Sequence, residues 1–491
     1  MTHVRRKHWL AAVLAGAIVF AACAEDAPTP QAEPEDNPPT ISLTAPTGGA
    51  AIQPGADIDI SWTATDDIGV VGVDLYSVTG GGETLIAQDL TGTTYTWGVP
   101  NANLFSVRVK AVARDAANQT AEDESGMFAV VAHSARGYVT TNVCKNCHIT
   151  YFNELNNSGH PYKLNKVVGG KPPTYPHSDV PTPPPGALRA DWGDIAYVIG
   201  GYAWKARFIT ADSGWIMTNA MDGVDVQYNL PRADLGLRTA TWSAYHATDT
   251  ERKPYDCGAC HTTGWQTFTE NGGVRQDGLP GMAGTWEETG IQCEECHAPG
   301  ATHVATQNAA DMTIDNSAAL CGRCHVRGDP AAIPVSGGFI RHHEQYNEML
   351  QSPHDDLSCN DCHDPHIGVK YGNAAAGGVR TTCEDCHTGV TLDHPVAVDC
   401  ENCHMARATK SARAVHSFEG DVRTHLFRVN TDGTKTKDDM WDATGGSVAD
   451  PRLTLDFACY SCHKDPITGE GGLFSSKTLT ELAAAAADIH Q

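Results

Sequence analysis

Between residues 39 and 132 the chain alternates hydrophobic and polar positions in the manner of β-strands. Residues 40–43 (TISL), 58–62 (IDISW), 71–76 (VGVDLY) and 105–109 (FSVRV) change character at about every second position, which is the period of a strand with one buried face. Gly, Asp and Asn separate these segments. Short strands divided by turn residues predict a β-sandwich over residues 39–132.

Beyond residue 137 the hydrophobic periods are shorter and turn residues are frequent, since the chain contains 48 Gly and 27 Pro. Residues 194–199 (DIAYVI) and 205–209 (KARFI) predict two further strands, with a turn at 212–214. At the C-terminus, apolar residues recur at helical spacing after a Thr478-x-x-Glu481 capping box, which predicts a helix within residues 476–491. Most of the remainder should be loops and short helices.

The N-terminus has the pattern of an export signal. Arg5, Arg6 and Lys7 precede an apolar segment that ends at Ala22 and is too short to span a bilayer comfortably. Residues 1–22 are therefore predicted to be a signal peptide. Cys23 follows small residues as in a bacterial lipobox, so we expect it to be lipidated, with simple cleavage as the alternative.

Residues 23–38 are acidic and Pro-rich, which predicts an extended tether. Together these features predict an exported protein of a Gram-negative bacterium: an outer-membrane lipoprotein, or a periplasmic or cell-surface protein. No other segment is apolar enough to cross a membrane, so the lipid anchor would be the only membrane contact.

Length and charge restrict the class of protein further. A chain of 491 residues is too long for one ordinary core, so several domains are expected. It carries 59 acidic against 34 basic side chains, a formal net charge of −25. Such a charge excludes nucleic acid and anionic lipid surfaces as partners. It favours partners that present basic patches or bound cations.

Sixteen of the 17 cysteines fall into eight Cys-x-x-Cys-His motifs, and Cys23 is the remaining one. The motif cysteines are Cys144, Cys147, Cys257, Cys260, Cys293, Cys296, Cys321, Cys324, Cys359, Cys362, Cys383, Cys386, Cys400, Cys403, Cys459 and Cys462. The motif histidines are His148, His261, His297, His325, His363, His387, His404 and His463. Below, the motifs are numbered one to eight in chain order.

This spacing points to covalent haem. Two thiols three positions apart can form thioethers with both vinyl groups of one porphyrin, and the adjoining His is then held as the proximal iron ligand. Zinc ribbons and disulfide frameworks also use paired cysteines, but neither requires a His after every pair. We therefore predict eight covalently bound c-type haems in residues 137–470. With so few residues per haem, the porphyrins themselves must supply much of the apolar packing.

A six-coordinate iron needs a second axial ligand, and the chain contains 23 His against only nine Met. The candidate distal ligands are His160, His246, His303, His342 or His343, His354, His366, His394, His416 and His425. His133 at a domain junction, His177 in a Pro-rich loop and the penultimate His490 are weaker candidates by position. Bis-His ligation would keep haem potentials low.

Two families resemble parts of the sequence. TATDDIGVVGVDLY at 63–76 and AVARDAANQT at 111–120 resemble bacterial immunoglobulin-like modules. CHITYFNELNNSGHP at 147–161, CEECHAPGATH at 293–303 and SPHDDLSCNDCHDPH at 352–366 resemble the cytochrome c five-fifty-four and hydroxylamine oxidoreductase superfamily. That second resemblance implies stacked haems forming a continuous wire, with His160, His303 and His354 as the first choices for distal ligands.

The fold class expected is thus multidomain: an immunoglobulin-like β-sandwich followed by a loop-rich, mainly helical multihaem domain with little regular structure. The related nitrite reductases bind substrate at a Cys-x-x-Cys-Lys haem, and this chain has no such motif. We therefore predict no catalytic residues and an electron-transfer protein in respiratory electron transfer. Its partners would be redox proteins such as other cytochromes, or an extracellular metal or mineral acceptor.

Two alternatives stay open: an oxidoreductase for a small nitrogen or sulfur oxyanion at one open haem, and a self-associating cytochrome filament. The aromatic stretch after the first motif either packs over haem faces or shapes a substrate pocket.

Overall fold

The structure is a computed structural model that describes residues 35–371, 377–441 and 447–490. The predicted signal peptide, Cys23 and most of the tether lie outside these residues. Within the described ranges, none of the helices has the length and apolar character needed to cross a membrane.

Residues 40–130 form a β-sandwich, as the alternation predicts. Its strands are β1 (Thr40–Ala45), β2 (Ala51–Ile52), β3 (Asp57–Thr65), β4 (Val70–Thr79), β5 (Gly82–Leu90), β6 (Thr94–Gly98), β7 (Leu104–Asp115), β8 (Thr120–Glu124) and β9 (Phe128–Val130). One sheet has the order β1-β3-β6, and the other has the order β2-β9-β7-β4-β5 with β8 paired to β7. Alternate residues of β3 and β7, among them Ile60, Trp62, Val107 and Val109, meet in the core. The apolar alternation therefore sets which face of each strand is buried.

A second sheet lies between the first and second motifs. It is antiparallel, with β10 (Leu164–Lys166), β11 (Ile195–Gly200), β12 (Lys205–Thr210), β13 (Gln227–Asn229) and β14 (Thr241–Ser243) in sequential order. Strands β11 and β12 coincide with the two strands predicted here. Val198, Phe208 and Tyr228 pack in its core. The indole nitrogen of Trp204 donates to the Asp421 carbonyl at 3.0 Å, which fastens this sheet to the C-terminal part of the chain.

Short helices and two-residue strands make up the remaining regular structure, and loops connect them. The helices are α1 (Thr141–Cys144), α2 (Ile149–Asn156), α3 (Asn219–Asp222), α4 (Gly258–His261), α5 (Cys293–His297), α6 (Ala301–Thr306), α7 (Ala318–Gly322), α8 (Gln345–Leu350), α9 (Cys359–Cys362), α10 (Cys383–Cys386), α11 (Cys400–His404), α12 (Leu455–Cys459) and α13 (Leu479–Ala487). The strands are β15 (Thr262–Thr263), β16 (Gln266–Thr267), β17 (Gly284–Thr285), β18 (Glu288–Thr289), β19 (Val335–Ser336), β20 (Phe339–Ile340), β21 (Val429–Asn430) and β22 (Leu453–Thr454). The fold class is therefore the one expected from the sequence, a β-sandwich followed by a loop-rich region of short helices.

A buried apolar cluster joins the β-sandwich to this second region. Ala129 and Val131, at the end of the sandwich, pack with Val139, Val143 and Ala305. Ala305 belongs to α6, which also contacts β2, β7 and β9. Because this junction is a small hydrophobic core, the two regions are packed against each other as well as linked through the chain.

Candidate haem sites

Each Cys-x-x-Cys-His motif overlaps one short helix, and a backbone hydrogen bond closes its turn. The His148 amide donates to the Cys144 carbonyl at 2.9 Å, and the His325 amide makes the same 2.9 Å bond to Cys321. The equivalent bond closes motifs five, six and eight. A single helical turn therefore brings the first Cys and the His of a motif together, as attachment to one porphyrin requires.

Local sequence explains where some of these helices begin. Ser358, before motif five, is an N-cap whose amide donates to the Asp361 carboxylate at 2.7 Å. Thr382, before motif six, makes the corresponding 2.7 Å bond to Asp385. In both motifs the second intervening residue is the Asp of a capping box. In both motifs the N-cap is therefore the residue immediately before the first Cys, and the helix begins at that Cys.

Seven of the eight motif histidines face a histidine from elsewhere in the chain. Six pairs have ring centres 6.0–6.4 Å apart, and the seventh pair, His404 with His490, is at 5.5 Å. The six pairs are His148–His303, His325–His160, His297–His366, His387–His354, His363–His425 and His463–His394. All seven partners lie outside the motifs.

This separation fits an iron held between two imidazoles. A bond of about 2 Å from metal to ring nitrogen, plus roughly 1 Å from that nitrogen to the ring centre, places two opposed ring centres about 6 Å apart. The donors are also of the type that c-type haem uses. The residues present therefore fit the haem group that the motifs imply.

Hydrogen bonds fix which ring nitrogen of the motif histidines stays available. Nδ1 lies 2.9 Å from the Lys163 carbonyl in His261, 3.1 Å from the Thr313 carbonyl in His297, and 2.8 Å from the Phe427 carbonyl in His404. Similar carbonyl contacts occur in motifs five and eight. A carbonyl can only accept, so Nδ1 carries the proton and the lone pair of Nε2 remains available for a metal.

Burial keeps several of these imidazoles neutral. It lowers the pKa of His160 and of His425 to about 3, and that of His261 to about 4. Since a ligating His must be neutral, this environment suits metal binding.

Thiol contacts give the spatial order of the motifs. The thiols of Cys144 and Cys293 interact, and helices α1 and α5 are in contact, so motif one lies beside motif three. Electrostatic interactions between further thiols link three to four, four to five, five to six, six to seven and seven to eight. The thiol of Cys324, in motif four, donates to the Ala259 carbonyl of motif two at 3.6 Å. The motifs thus form a trunk in the order one, three, four, five, six, seven, eight, and motif two branches from motif four.

His261, in the branching motif two, is the exception among the motif histidines. Among the residues that the structure describes, no histidine ring faces the ring of His261 as the seven paired rings face each other. The charged residues that act on it electrostatically are Lys163, Arg207 and Lys205. His343 lies close enough to be influenced by His261, and the rings of His342 and His343 are 4.0 Å apart.

The basic side chains that act on His261 form no ion pairs with carboxylates in the described part of the chain. Burial lowers the pKa of Lys163, Lys205 and Arg207, and none of the three forms an ion pair with a carboxylate in the described part of the chain. Arg207 donates instead to the Gln227 side-chain oxygen at 2.7 and 2.9 Å. Buried cations that form no ion pair favour an anion beside them, although Asp421 and Glu344 also act electrostatically on Lys205.

The remaining candidate histidines lie away from the motif rings. His246 is 2.8 Å from an Asp249 oxygen, and His416 is 3.5 Å from Glu419. His133 contacts the Val131 carbonyl at 3.0 Å, and His177 stacks on Tyr371. His490 is placed opposite His404, although its sequence position made it a weak candidate. The signal for it was the capping box at Thr478, because α13 brings the chain end back to pair with Leu392.

The arrangement defines a class of protein, a multihaem c-type cytochrome with a β-sandwich module at its N-terminal side. Family comparisons agree with this class. Residues 39–120 match the bacterial Ig domain family, and residues 237–298, which contain motifs two and three, match the family of cytochrome c554 and c-prime. The chain is accordingly a multihaem cytochrome-like electron-transfer protein that carries a bacterial Ig-like module.

Solved structures with partial similarity include two cytochromes. The outer cell wall cytochrome OcwA is 17% identical, with a TM-score of 0.40 over 71% of this chain and 86% of that one. The undecahaem cytochrome from the S-layer of Carboxydothermus ferrireducens is 16% identical, with a TM-score of 0.38 over 72% and 60%. The fibronectin(III)-like modules of Clostridium thermocellum CbhA are 25% identical with a TM-score of 0.16, covering 18% of this chain, which spans 44% of theirs. No curated protein sequence matches the chain.

Proposed function

We propose that this protein is an exported octahaem c-type cytochrome that conducts electrons along a trunk of seven bis-His haems, with an eighth haem as a side branch. The observation that supports this most is the facing of seven motif histidines by seven other histidines at 5.5–6.4 Å. A haem held in this way supplies a one-electron Fe(III)/Fe(II) couple at low potential.

The chain's own residues would prepare these positions. The motif Cys pairs would anchor each group, and the motif His together with His160, His303, His354, His366, His394, His425 or His490 would occupy both axial positions. Hydrogen bonds and helix contacts between neighbouring motifs, such as Arg323 with Glu295 at 2.8 Å and Cys400 with Glu384 at 3.5 Å, keep the attachment segments side by side. With both axial positions filled by protein, the trunk would pass electrons without binding a substrate.

Counting haems and their spin states tests this proposal. Intact mass should exceed that of the mature polypeptide by eight haems, and EPR of the oxidised protein should show seven low-spin bis-His centres besides the one at His261. Fewer than eight haems, or several high-spin centres, would contradict it.

We also propose that the protein works outside the inner membrane, held by lipidated Cys23. Support comes from the signal pattern and from a formal net charge of −25, which favours basic redox partners. The Ig-like module would act as a spacer between anchor and cytochrome, and the acceptor would be another cytochrome or a metal. Radiolabelled palmitate should be incorporated by the wild type and not by a Cys23→Ser variant.

A second candidate function concerns the branch haem. The charges of Lys163, Arg207 and Lys205 act on His261, and none of these cations forms an ion pair with a carboxylate among the described residues, which favours reduction or oxidation of a small nitrogen or sulfur oxyanion there. The same cations could instead neutralise haem propionates. Nitrite and sulfite titrations separate these roles, because only an open anion site gives a saturable change in one haem spectrum. Lys205→Met should weaken such binding, whereas exposed Lys145→Met should leave it unchanged.

The third alternative, a filament in which one subunit supplies a His to the next, gains no support from His490. Its ring lies opposite His404 of the same chain.

A further inference from the structure

Three aspartates meet at one end of the Ig-like module, and a fourth, Asp115, lies near enough to act on one of them. Asp36 precedes β1, Asp66 and Asp67 lie in the turn between β3 and β4, and Asp115 ends β7. Ligand oxygens of Asp36, Asp66 and Asp67 lie within 4.8 Å of one another. The side chain of Asp115 is 1% exposed and acts electrostatically on Asp36.

Three of the aspartates each have one buried carboxylate oxygen that forms no hydrogen bond with the described residues. Oδ1 of Asp36, Oδ1 of Asp66 and Oδ2 of Asp115 accept no hydrogen bond from the described residues. A buried polar atom left unpaired in this way is costly, and three together are unusual. They point to a missing common partner.

In Asp66 and Asp115 the opposite oxygen of the carboxylate is already engaged, which fixes the orientation of these two side chains. Oδ2 of Asp66 accepts from the amides of Ile68 at 3.0 Å and Gly69 at 2.6 Å. Oδ1 of Asp115 accepts from the Gln119 amide at 2.8 Å. The side chain of Gln119 also donates to the Asp36 carbonyl at 3.0 Å. The free oxygens are therefore held in place by the fold.

The charges at this end are of one sign. The carboxylates of Asp115, Asp66 and Asp67 all act electrostatically on Asp36. The side chain of Asn37 bonds Asp67 at 2.7 Å, but it is neutral. Repulsion among four carboxylates thus opposes the observed arrangement unless a cation lies among them.

We propose that Asp36, Asp66, Asp67 and Asp115 bind one Ca²⁺ ion at the tether end of the Ig-like module. The donors are carboxylate oxygens from three separate segments, which suits a hard cation of flexible coordination. The site contains no Cys or His and is therefore unsuited to zinc. The ion would fasten the end of the predicted tether to the β3–β4 turn, so that the module is stiffly oriented on its anchor.

Calcium binding should be measured on the full-length holoprotein after chelator treatment. Equilibrium dialysis should find one high-affinity Ca²⁺ per chain. Ca²⁺ should slow hydrogen exchange in peptides covering residues 35–45 and 64–70 and raise the unfolding temperature of the module by about 3–5 °C. Mg²⁺ at equal concentration should have a smaller effect.

Two Asn variants and one control make the test specific. Asp36→Asn and Asp115→Asn should lose the bound Ca²⁺ and its protection, and in chelator they should be at least as stable as the wild type, because they relieve repulsion. Asp57→Asn, in the exposed start of β3, should retain the ion. Should the Asp115 variant fail to fold, Asp36→Asn decides alone. Absence of Ca²⁺-dependent protection in the wild type, or its persistence in Asp36→Asn, would overturn the proposal.

Discussion

The rings of His404 and His490 lie nearly parallel, 16° apart, with centres separated by 5.5 Å. If both bind one iron, His490→Ala should leave that haem attached through Cys400 and Cys403 but open on one side. EPR of the oxidised variant should then show one of the eight haems converted from low spin to high spin, with no loss of haem by mass.

His133→Ala is the matched control for this substitution. His133 is also a non-motif histidine, but its Nδ1 contacts the Val131 carbonyl and its ring faces no motif histidine among the described residues. Its spectrum should equal that of the wild type. An unchanged His490→Ala spectrum would show that the iron of motif seven has another distal ligand.

A second prediction at the residue scale concerns Glu294, the first intervening residue of motif three. Its buried carboxylate accepts from the amides of Val139 at 3.0 Å, Thr140 at 3.0 Å and Gly300 at 2.7 Å. Glu294→Gln turns an NH₂ group toward one of these donors, so the free energy of unfolding should fall by about 1–3 kcal/mol. Denaturant unfolding followed by circular dichroism measures this change.

Glu384 occupies the same position in motif six but is exposed, so Glu384→Gln should change the free energy of unfolding by no more than about 0.5 kcal/mol. If both substitutions change the free energy of unfolding equally, the hydrogen bonds that Glu294 accepts do not stabilise the fold more than an exposed Glu does.

At this scale the sequence is most informative where the chemistry is local. Two Cys and a His within five positions form a pattern that the covalent chemistry of one cofactor explains, so the eight motifs can be located in the sequence, and the attachment of a haem to each stays a prediction. Which histidine faces His325 or His404 depends on how distant loops meet, and sequence spacing carries little of that information. Sequence position did not separate His246 and His416 from His160, which only the family resemblance put first. Of these three, the structure places only His160 opposite a motif ring.

At the scale of elements, the short helix α6 links the Ig-like module to the first motif. Ala305 on α6 is fully buried against the sandwich, while His303 on the same helix faces His148. Ala305→Asp would place a charge in this apolar cluster. We expect it to displace α6 and alter one low-spin EPR signal, that of the haem at motif one, while the other signals stay unchanged.

Ala310→Asp adds the same charge at an exposed position shortly after α6 and should leave all EPR signals as they are. A destabilised module with an unaltered signal in Ala305→Asp would show that the sandwich does not position His303.

The elements that could be predicted are those in which the hydrophobic and polar residues alternate clearly within the element itself. Strands β3, β7, β11 and β12 alternate apolar and polar residues strongly enough to be located from the sequence. The packing of α6 on the sandwich could not be predicted, because Ala301, Val304 and Ala305 form too short an apolar stripe to indicate a partner.

At the scale of the whole molecule, chain order and spatial order differ at one point. Motif two lies beside motif four and off the line that joins motifs one and three. The long β10–β14 insertion between motifs one and two makes this possible, since β12 carries Lys205 and Arg207 to the surroundings of His261. The motif-two histidine therefore lies near two cations that this insertion supplies.

If the motifs form a trunk with one branch, removing the Cys pair of a trunk motif should slow electron transfer more than removing the Cys pair of the branch motif. Replacing Cys359 and Cys362 by Ala removes the attachment of motif five and separates motifs one to four from motifs six to eight. Replacing Cys257 and Cys260 by Ala removes only the branch. Each variant should carry seven haems by mass.

After reduction with less than one electron per haem, stopped-flow absorbance should follow the redistribution of electrons within the molecule. Redistribution should slow by about tenfold or more in the motif-five variant, because it must cross the gap left in the trunk, and by no more than about twofold in the motif-two variant. The motif-two variant is the control for general damage, since it loses the same number of thioethers. Equal rates in the two variants would mean that the thiol contacts between motifs do not trace the path of the electrons.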